Sequence, residues 1–271
     1  MAAPSTVRAA ESYDNCTGTI SSVPAVISSQ GTWCLKQNLA TGSAGKIINI
    51  TTNNVTIDCN DFKLDGSSGG AGILSFGISA KNQSNITIRH CQIRGFFYGI
   101  DLEGTGGGHV VEDNRLDGNT VYGMLVTGDG SVVRRNRVFS TGGSTLFPDA
   151  VGIYTDGSAD IADNLVVGVT ATSGGNGNAT GIDTSSNNNG RIYRNGVRGL
   201  AKDGTGAIFG IFNAPNDHLT MHDNVVVGDA STGSVGLSCS NTPGSASDNV
   251  ISGFATAIHF CTDNGGNDIV P

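Results

Sequence analysis

The stretch "VEDNRLDGNTVYGMLV" at residues 111–126 contains two short patterns that recur along the chain. The first is an Asn, any residue and an apolar residue, and the second is a Gly followed by an apolar residue. The Asn pattern starts at Asn60, Asn114, Asn136, Asn164, Asn195, Asn224 and Asn249, with Cys91 in the second place. The Gly pattern starts at Gly77, Gly99, Gly123, Gly152, Gly181, Gly210 and Gly236, with Ala257 in the last place. Successive Gly starts are 21–29 residues apart, a spacing typical of a solenoid.

In each pattern, apolar and polar residues alternate as they do in a half-buried strand. In "GIDLEG" (99–104), Ile100 and Leu102 would face inward while Asp101 and Glu103 face outward. A repeat of short strands without helices stacks those strands in parallel, about 4.8 Å apart, and parallel crossovers are right-handed. The predicted fold is therefore an all-β, single-domain, right-handed parallel β-helix of about eight or nine coils.

The domain is predicted to have an N-terminal cap at residues 16–50 and coils at residues 51–271. Residues 1–15 lack the apolar segment of an export signal and are predicted to be a disordered remnant of a processed N-terminus. Glycine makes up 41 residues and the net charge is −8. This composition disfavours long helices and gives no attraction to nucleic acid or an anionic membrane. The oligomeric state is left open.

The recurring Asn residues are predicted to form a hydrogen-bonded ladder at one corner of the coils. Asn also tolerates the left-handed backbone of a sharp corner. The residues just before the ladder mostly alternate in charge, so neighbouring coils are expected to pair them. They are His90, Asp113, Arg135, Asp163, Arg194, Asp223 and Asp248.

The segment "NNVTIDCNDFKLDG" (53–66) resembles the entry coil of right-handed β-helix repeat proteins of the pectate-lyase-like superfamily. The segment "CTGTISSVPAVISSQGTWCLKQNL" (16–39) is similar to the cap that precedes that coil. The resemblance covers most of the chain and implies the fold. The superfamily includes polysaccharide lyases, glycoside hydrolases, esterases, epimerases and proteins without known activity, so the resemblance does not select one reaction.

Six cysteines indicate an oxidising compartment, and the protein is predicted to be secreted or periplasmic and bacterial. Cys16 and Cys34 both lie in the cap. Cys59 and Cys91 fall at nearly the same corner of successive coils, as do Cys239 and Cys261 near the C-terminus. Six cysteines allow fifteen pairings, so the sequence leaves the connectivity open.

The coils change length on one side only. From a Gly start to the next Asn the distance is 12–15 residues, whereas from an Asn to the next Gly it is 8–17. The longest segments are 137–151, 165–180 and 196–209, and loops stacked there would form a wall beside the next strand. Because loops on a rigid scaffold often carry binding and catalysis, we expect the functional site beside this wall.

The outward positions beside the wall carry Tyr154, Asp156, Asp183 and Phe212, read as the second and fourth residues after each Gly. Acids with aromatic rings suit a sugar-binding groove. Asp156 and Asp183 would lie on adjacent coils with an offset of two residues, about 8 Å apart at the backbone. That separation suits the paired carboxyl groups of an inverting glycosidase, about 6.5–9.5 Å apart.

A lyase would use the same groove differently. β-Elimination needs a base, for which Tyr154 is the candidate, and a cation to neutralise the substrate carboxylate. Calcium held by Asp101 with Glu103, or by Asp156 with Asp183, would supply that cation. The other candidate substrate-binding residues are Arg137, Asp149, Arg198 and Lys202.

The predicted function is that of an exported enzyme which cleaves a polysaccharide or oligosaccharide. The resemblance slightly favours β-elimination, with catalytic residues Tyr154, Asp156 and Asp183. Two alternatives remain, an inverting glycoside hydrolase and a non-catalytic glycan-binding or structural solenoid. The sequence motifs that mark polygalacturonases, alginate epimerases and serine hydrolases are absent.

Overall fold

The computed structural model describes residues 15–185, 189–214, 218–239 and 244–270, and the regular structure there is almost entirely β-strand. Except for Asn15, the predicted N-terminal remnant lies outside the described residues. The first strands are β1 (Gly18–Ile20), β2 (Ala25–Ile27), β3 (Gly31–Leu35), β4 (Leu39–Ala40), β5 (Gly45–Ile50), β6 (Val55–Asp58), β7 (Lys63–Asp65), β8 (Ser75–Lys81), β9 (Ile86–Arg89), β10 (Gln92–Arg94), β11 (Tyr98–Glu103), β12 (Val110–Glu112), β13 (Arg115–Asp117), β14 (Tyr122–Thr127) and β15 (Ser131–Arg134).

The remaining strands are β16 (Arg137–Gly142), β17 (Ala150–Asp156), β18 (Ala159–Ala162), β19 (Leu165–Thr170), β20 (Ala179–Ser185), β21 (Arg191–Tyr193), β22 (Gly196–Ala201), β23 (Ile208–Asn213), β24 (Thr220–His222), β25 (Val225–Val227), β26 (Ser234–Cys239), β27 (Ser245–Ser247), β28 (Val250–Ser252), β29 (Thr256–His259), β30 (Thr262–Asp263) and β31 (Asp268–Val270). The one described helical element is a short 3₁₀ turn at Ser67–Gly69.

Three parallel sheets run along the molecule, and each coil contributes one strand to each sheet. Sheet 1 contains β1 and every third strand from β3 to β30, sheet 2 every third strand from β4 to β31, and sheet 3 β2 with every third strand from β5 to β29. Nine successive coils, β3–β5 to β27–β29, are complete in all three sheets. The predicted all-β parallel solenoid of eight or nine coils is confirmed. Residues 31–50, assigned to the cap, already provide one strand to each sheet.

Stacked aliphatic side chains fill the solenoid. The recurring glycines from Gly77 to Gly236 lie one above the other in sheet 3 and form the Gly column. The residue directly after each of these glycines is fully buried, and together these residues form the inward column of sheet 3. They are Ile78, Ile100, Met124, Ile153, Ile182, Ile211 and Leu237. Burying such a side chain contributes about 1.5–3 kcal/mol, so the repeated inward column stabilises every coil against its neighbours.

The recurring glycines are required by close approach between coils. A Cβ at each Gly from Gly77 to Gly236 would lie within 2.7 Å of the carbonyl oxygen of the next residue in the column, which is Ala257 at the end. Real Cβ atoms do not approach an oxygen so closely, and none of these glycines has a positive φ. The Gly column therefore reflects the separation of adjacent strands and not a left-handed turn.

The predicted Asn ladder is present and buried. Asn164 is a typical rung, since its Nδ2 donates to Val133 O at 2.9 Å and to Asn195 Oδ1 at 3.0 Å. Its Oδ1 accepts from the backbone N and the Nδ2 of Asn136. Cys91 does occupy the second place, because its backbone N donates to Asn114 Oδ1. The ladder extends beyond the predicted rungs to Asn267, whereas Asn60 instead donates from its Nδ2 to Leu35 O.

The left-handed corner belongs to a different residue than predicted. Rungs from Asn114 onward do not have a positive φ, and the residue before each of them does, with φ of 51–57° at the charged column from His90 to Asp248. That column therefore serves the turn as well as the charge pairing. Arg135 pairs with Asp113 and Arg194 with Asp163, whereas His90 pairs with Asp58. The charges thus pair two by two and not continuously.

Three disulfides close the ends and one corner of the solenoid. They are Cys16–Cys34, Cys59–Cys91 and Cys239–Cys261, which resolves the connectivity that the sequence left open. Disulfides of this kind are typical of an oxidising compartment. No helix in the described parts of the chain is long and apolar enough to cross a membrane.

The long coils differ from the prediction in one respect. Each long segment begins with a sheet 2 strand of six residues, β16, β19 or β22, whereas β13 and β25 have three. The loops proper are residues 143–149, 171–178 and 202–207. The extra length therefore widens sheet 2 and builds loops at the same time.

Replacing Gly152 by Ala is expected to destabilise the protein by about 1–3 kcal/mol, as overpacking does. The new Cβ would meet Gly181 O at 2.6 Å and Val166 Cγ1 at 2.5 Å. Gly196→Ala is the matched control, because its Cβ would approach only the movable Leu165 Cδ1, at 3.2 Å. Urea unfolding with the disulfides intact measures both, and equal losses would contradict the close-approach explanation.

Asn164→Ala is expected to lower the free energy of unfolding by about 1–3 kcal/mol for each buried partner that it leaves unsatisfied. The backbone N of Asn136 loses its acceptor, its Nδ2 keeps only Val111 O, and Val133 O loses the donor Asn164 Nδ2. A comparison by urea unfolding with Asn178→Ala, which removes the exposed hydrogen bond from Ala207 N to Asn178 Oδ1, should show the larger loss at Asn164. Similar stabilities would show that the ladder contributes little.

Candidate functional site

The outward face of sheet 3 brings the predicted residues together. Tyr154, Asp183 and Phe212 are consecutive partners on β17, β20 and β23. Asp183 lies between Ile182 and Thr184, which are fully buried, so its own side chain faces outward. Asp156 pairs with Ser185, and the predicted offset of two residues between Asp156 and Asp183 is confirmed.

A continuous row of aromatic rings leads along this face to Asp183. The aromatic row consists of Phe76, Tyr98, Tyr122 and Tyr154. The Tyr98 and Tyr122 rings stack at 4.6 Å between centroids, and the Tyr122 and Tyr154 rings stack at 5.5 Å and 6°. Phe76 meets Tyr98 edge-on at 5.3 Å. Rings stacked in this way largely cover each other's faces, so the row offers the groove a rigid apolar strip made mainly of ring edges.

Three members of the aromatic row were missed in the sequence, although a signal for them exists. Phe76, Tyr98 and Tyr122 immediately precede Gly77, Gly99 and Gly123. The sequence prediction places only the second and fourth residues after each Gly on the outward face. The residue before the Gly is also outward, since Tyr98 and Tyr122 are half-buried and stack on each other, whereas the Gly and the residue after it are buried.

The three loops form a hydrogen-bonded wall beside the row. Asp149 Oδ1 accepts from the backbone N of Asn178 at 2.7 Å, and Asn178 Oδ1 accepts from the backbone N of Ala207 at 2.7 Å. Phe147 of the first loop contacts Phe97, 5.4 Å between ring centroids, and Phe97 stacks on Tyr98. Asp149, a predicted substrate-binding residue, therefore joins two loops of the wall.

The surroundings of Asp183 change the acidity of its carboxyl group. Burial raises the pKa of its carboxyl group to about 7, because a low-polarity environment disfavours the charged form. Its neighbours along the column are the aromatic side chains Tyr154 and Phe212. A carboxyl group of this kind is protonated near neutral pH and can donate that proton.

Tyr154 lies directly beside this acid. Its pKa is raised, first by burial and further by the nearby Asp183 and Asp156 carboxylates, while a hydrogen bond with Ser185 acts in the opposite direction. Tyr122 is affected in the same direction, mainly by burial. A raised pKa keeps both phenols neutral, so they are poor bases at ordinary pH.

Asp101 and Glu103, the predicted calcium ligands, lie at the other end of the aromatic row. Asp101 is only 3% exposed, with its Oδ2 accepting from Ser79 Oγ at 2.8 Å, and Glu103 pairs with Lys81. Calcium takes about 6–8 oxygen ligands, whereas no group of three or more His, Cys, Asp or Glu side chains with metal-binding geometry occurs among the described residues.

The predicted cations do not join the groove. Arg137 and Arg198 lie on β16 and β22 of sheet 2, a different face of the solenoid. Lys202 begins the third loop, where its Nζ donates to Thr232 O at 3.0 Å. The ammonium groups that do lie on the outward face of sheet 3 are those of Lys46 and Lys81, at the far end of the aromatic row.

The chain belongs to the right-handed β-helix family, because the family model described as a right-handed β-helix region matches residues 9–171. This match confirms the predicted family and handedness. No curated protein sequence matches the chain.

Several solved structures are similar to the chain. They include XylC in complex with xylose, at 10% identity and a TM-score of 0.46, covering 84% of this chain and 38% of that one. A tailspike protein of E. coli bacteriophage HK620 in complex with a pentasaccharide has 11% identity and a TM-score of 0.47, covering 96% and 59%. The A-module of the Azotobacter vinelandii mannuronan C-5 epimerase AlgE4 has 12% identity and a TM-score of 0.40, covering 90% and 79%. The chain thus spans about two fifths of XylC, and the likeness is one of fold alone.

The carboxyl carbon of Asp183 is expected to titrate in an NMR experiment with a midpoint near pH 7, as its pKa of about 7 requires. An unfolded Asp titrates near about 3.9. The stability that this group contributes is therefore fully present below about pH 4 and is lost as the pH rises through about 7. Relative to the native protein, Asp183→Asn should gain stability across that window, and its spectrum identifies the resonance. A midpoint near pH 4 would contradict the argument.

Proposed function

We propose that the protein is an exported glycoside hydrolase that cleaves a polysaccharide bound on the outward face of sheet 3. The observation that carries the proposal is Asp183, a carboxyl group with a pKa of about 7 between two aromatic side chains. Asp156 lies on the adjacent coil, two residues further along the strand. Three disulfides support a secreted or periplasmic location.

The proposed reaction uses the two carboxyl groups in different roles. Asp183 donates its proton to the glycosidic oxygen as the bond from that oxygen to the anomeric carbon breaks. Asp156 accepts a proton from the water that attacks the anomeric carbon on the opposite face. One water molecule is added across the bond, and the backbone separation of about 8 Å suits inversion. Exchange with solvent returns the proton from Asp156 to Asp183.

The aromatic row would hold the polysaccharide while this step occurs. Tyr98, Tyr122 and Tyr154 form a continuous strip of stacked rings, and the loop wall limits the groove on one side. Rigid rings whose own packing fixes them bind without losing much conformational freedom.

β-Elimination is supported less well by the same geometry. Burial and carboxylates raise the pKa of Tyr154, whereas a lyase needs this group as a base. Arg137 and Arg198 lie on another sheet. A lyase would also produce an unsaturated sugar, which makes the two reactions easy to distinguish.

Asp183→Asn and Asp156→Asn are each expected to lower kcat by about 10²–10⁴-fold, the usual contribution of general acid or base catalysis. Released reducing ends measure hydrolysis on soluble xylan, β-glucan, galactomannan, chitosan, alginate and polygalacturonate, and ultraviolet absorbance reports unsaturated products. For the native enzyme, kcat should fall above about pH 7 as Asp183 loses its proton.

The control for this experiment is Asp160→Asn, a substitution on sheet 1 where Asp160 pairs with Arg191. This variant should keep full activity. Reducing ends that appear together with ultraviolet absorbance would show that the enzyme cleaves by elimination and not by hydrolysis. Tight glycan binding without any cleavage would identify a binding solenoid.

A further inference from the structure

A polar pocket opens beside Asp156, on the side of the strands away from the loop wall. The Asp156 pocket has a volume of about 400 Å³ and is lined by Thr105, Thr127, Asp129, Asp156 and the glycines around them. It lies at the turns that connect sheet 3 to sheet 1 in three successive coils. Small-molecule sites commonly measure about 300–1,000 Å³.

Closely packed backbone gives this pocket rigid walls. Any Cβ on Gly106 or Gly128 would overlap a carbonyl oxygen of the neighbouring coil. Asp129 is fixed by its Oδ1, which accepts from the backbone N of Ser158 at 2.8 Å. Thr127 Oγ1 accepts from the backbone N of Gly104 at 2.9 Å. The pocket is thus preformed, with two carboxyl groups and two hydroxyl groups on its lining.

Carboxyl groups outnumber cations along the whole groove. Burial is the main cause of the raised pKa of the Tyr98 and Tyr122 phenols. Nearby carboxylates raise these pKa values further, those of Asp101 and Glu103 at Tyr98 and those of Asp183 and Asp149 at Tyr122. Two ammonium groups lie at the far end of the row, where Lys81 is paired with Glu103 and Lys46 is the register partner of Phe76. A sugar entering this groove therefore meets hydrogen-bond acceptors and negative charge.

We propose that the Asp156 pocket binds the sugar next to the cleaved bond, and that Asp129 and Asp156 restrict that sugar to uncharged or amino-bearing types. This inference rests on the proposed hydrolase function, because Asp156 is shared by both. Hydroxyl and ammonium groups donate hydrogen bonds to carboxylates. A uronate would place a third carboxylate beside two others, and like charges so close repel strongly.

Binding to the Asp183→Asn variant tests the pocket without turnover. Calorimetry with a xylo-, gluco-, manno-, glucosamine or polygalacturonate oligosaccharide of equal length gives the Kd values. We expect at least one neutral or amino-bearing probe to bind, and the uronate probe to bind at least about 100-fold more weakly at low salt. Asp129→Asn should reduce that difference by about 10-fold, because it removes one of the repelling charges while an amide oxygen can still accept from Ser158.

Asp160→Asn on sheet 1 is the matched control and should leave the difference unchanged. Equal affinity for uronate and neutral probes would overturn the charge selection, and so would indifference to Asp129→Asn. Cleavage of polygalacturonate that Asp183→Asn abolishes would also overturn it, while the hydrolase function stands. Cleavage of a neutral glycan that is unaffected by Asp183→Asn would instead remove the proposed function and this inference with it.

Discussion

The close approach of successive coils at the Gly column is the constraint on which the rest of the structure depends. Carbonyl oxygens occupy the space where a Cβ would lie, as between Gly152 and Gly181. Only one alignment of neighbouring strands places Gly against Gly in this way. The column therefore sets the strand register in sheet 3, and the register in turn decides which outward side chains become neighbours. The Asn ladder fixes the same alignment at the opposite corner of each coil.

Much of this could be predicted because a solenoid repeats its constraints. Asn114 and Asn136 occupy equivalent environments, so the same side chain serves in both and the period becomes visible. The left-handed corner was misassigned to Asn for a physical reason. Asn is a common left-handed residue, but here its amide is needed by the ladder, and the residue before it takes the turn. The charged residues at these turns, such as Asp113 and Arg135, have positive φ and pair across coils.

The candidate site was only partly predictable, because it departs from the repeat. Tyr154, Asp183 and Phe212 could be placed on one column from their spacing to the preceding Gly. The burial that raises the pKa of Asp183 depends on how loops and neighbouring rings pack, and no single repeat encodes that. Arg137 and Arg198 were wrongly predicted to lie in the groove. Both residues belong to the long segments. Because each segment begins with an extended strand of sheet 2, both side chains lie on another face of the solenoid.

A parallel β-helix supplies the geometry of a carboxyl pair at little structural cost. Adjacent coils and alternate residues define a grid of outward positions about 4.8 Å by 6.6 Å, and any two acids on its diagonal lie about 8 Å apart. The fold alone does not give such a pair different roles. Asp183 stands between Tyr154 and Phe212 on the column that continues the aromatic row, whereas Asp156 borders the open pocket. Burial raises the pKa of Asp183 to about 7, so in the proposed hydrolysis this member of the pair is the one suited to donate a proton.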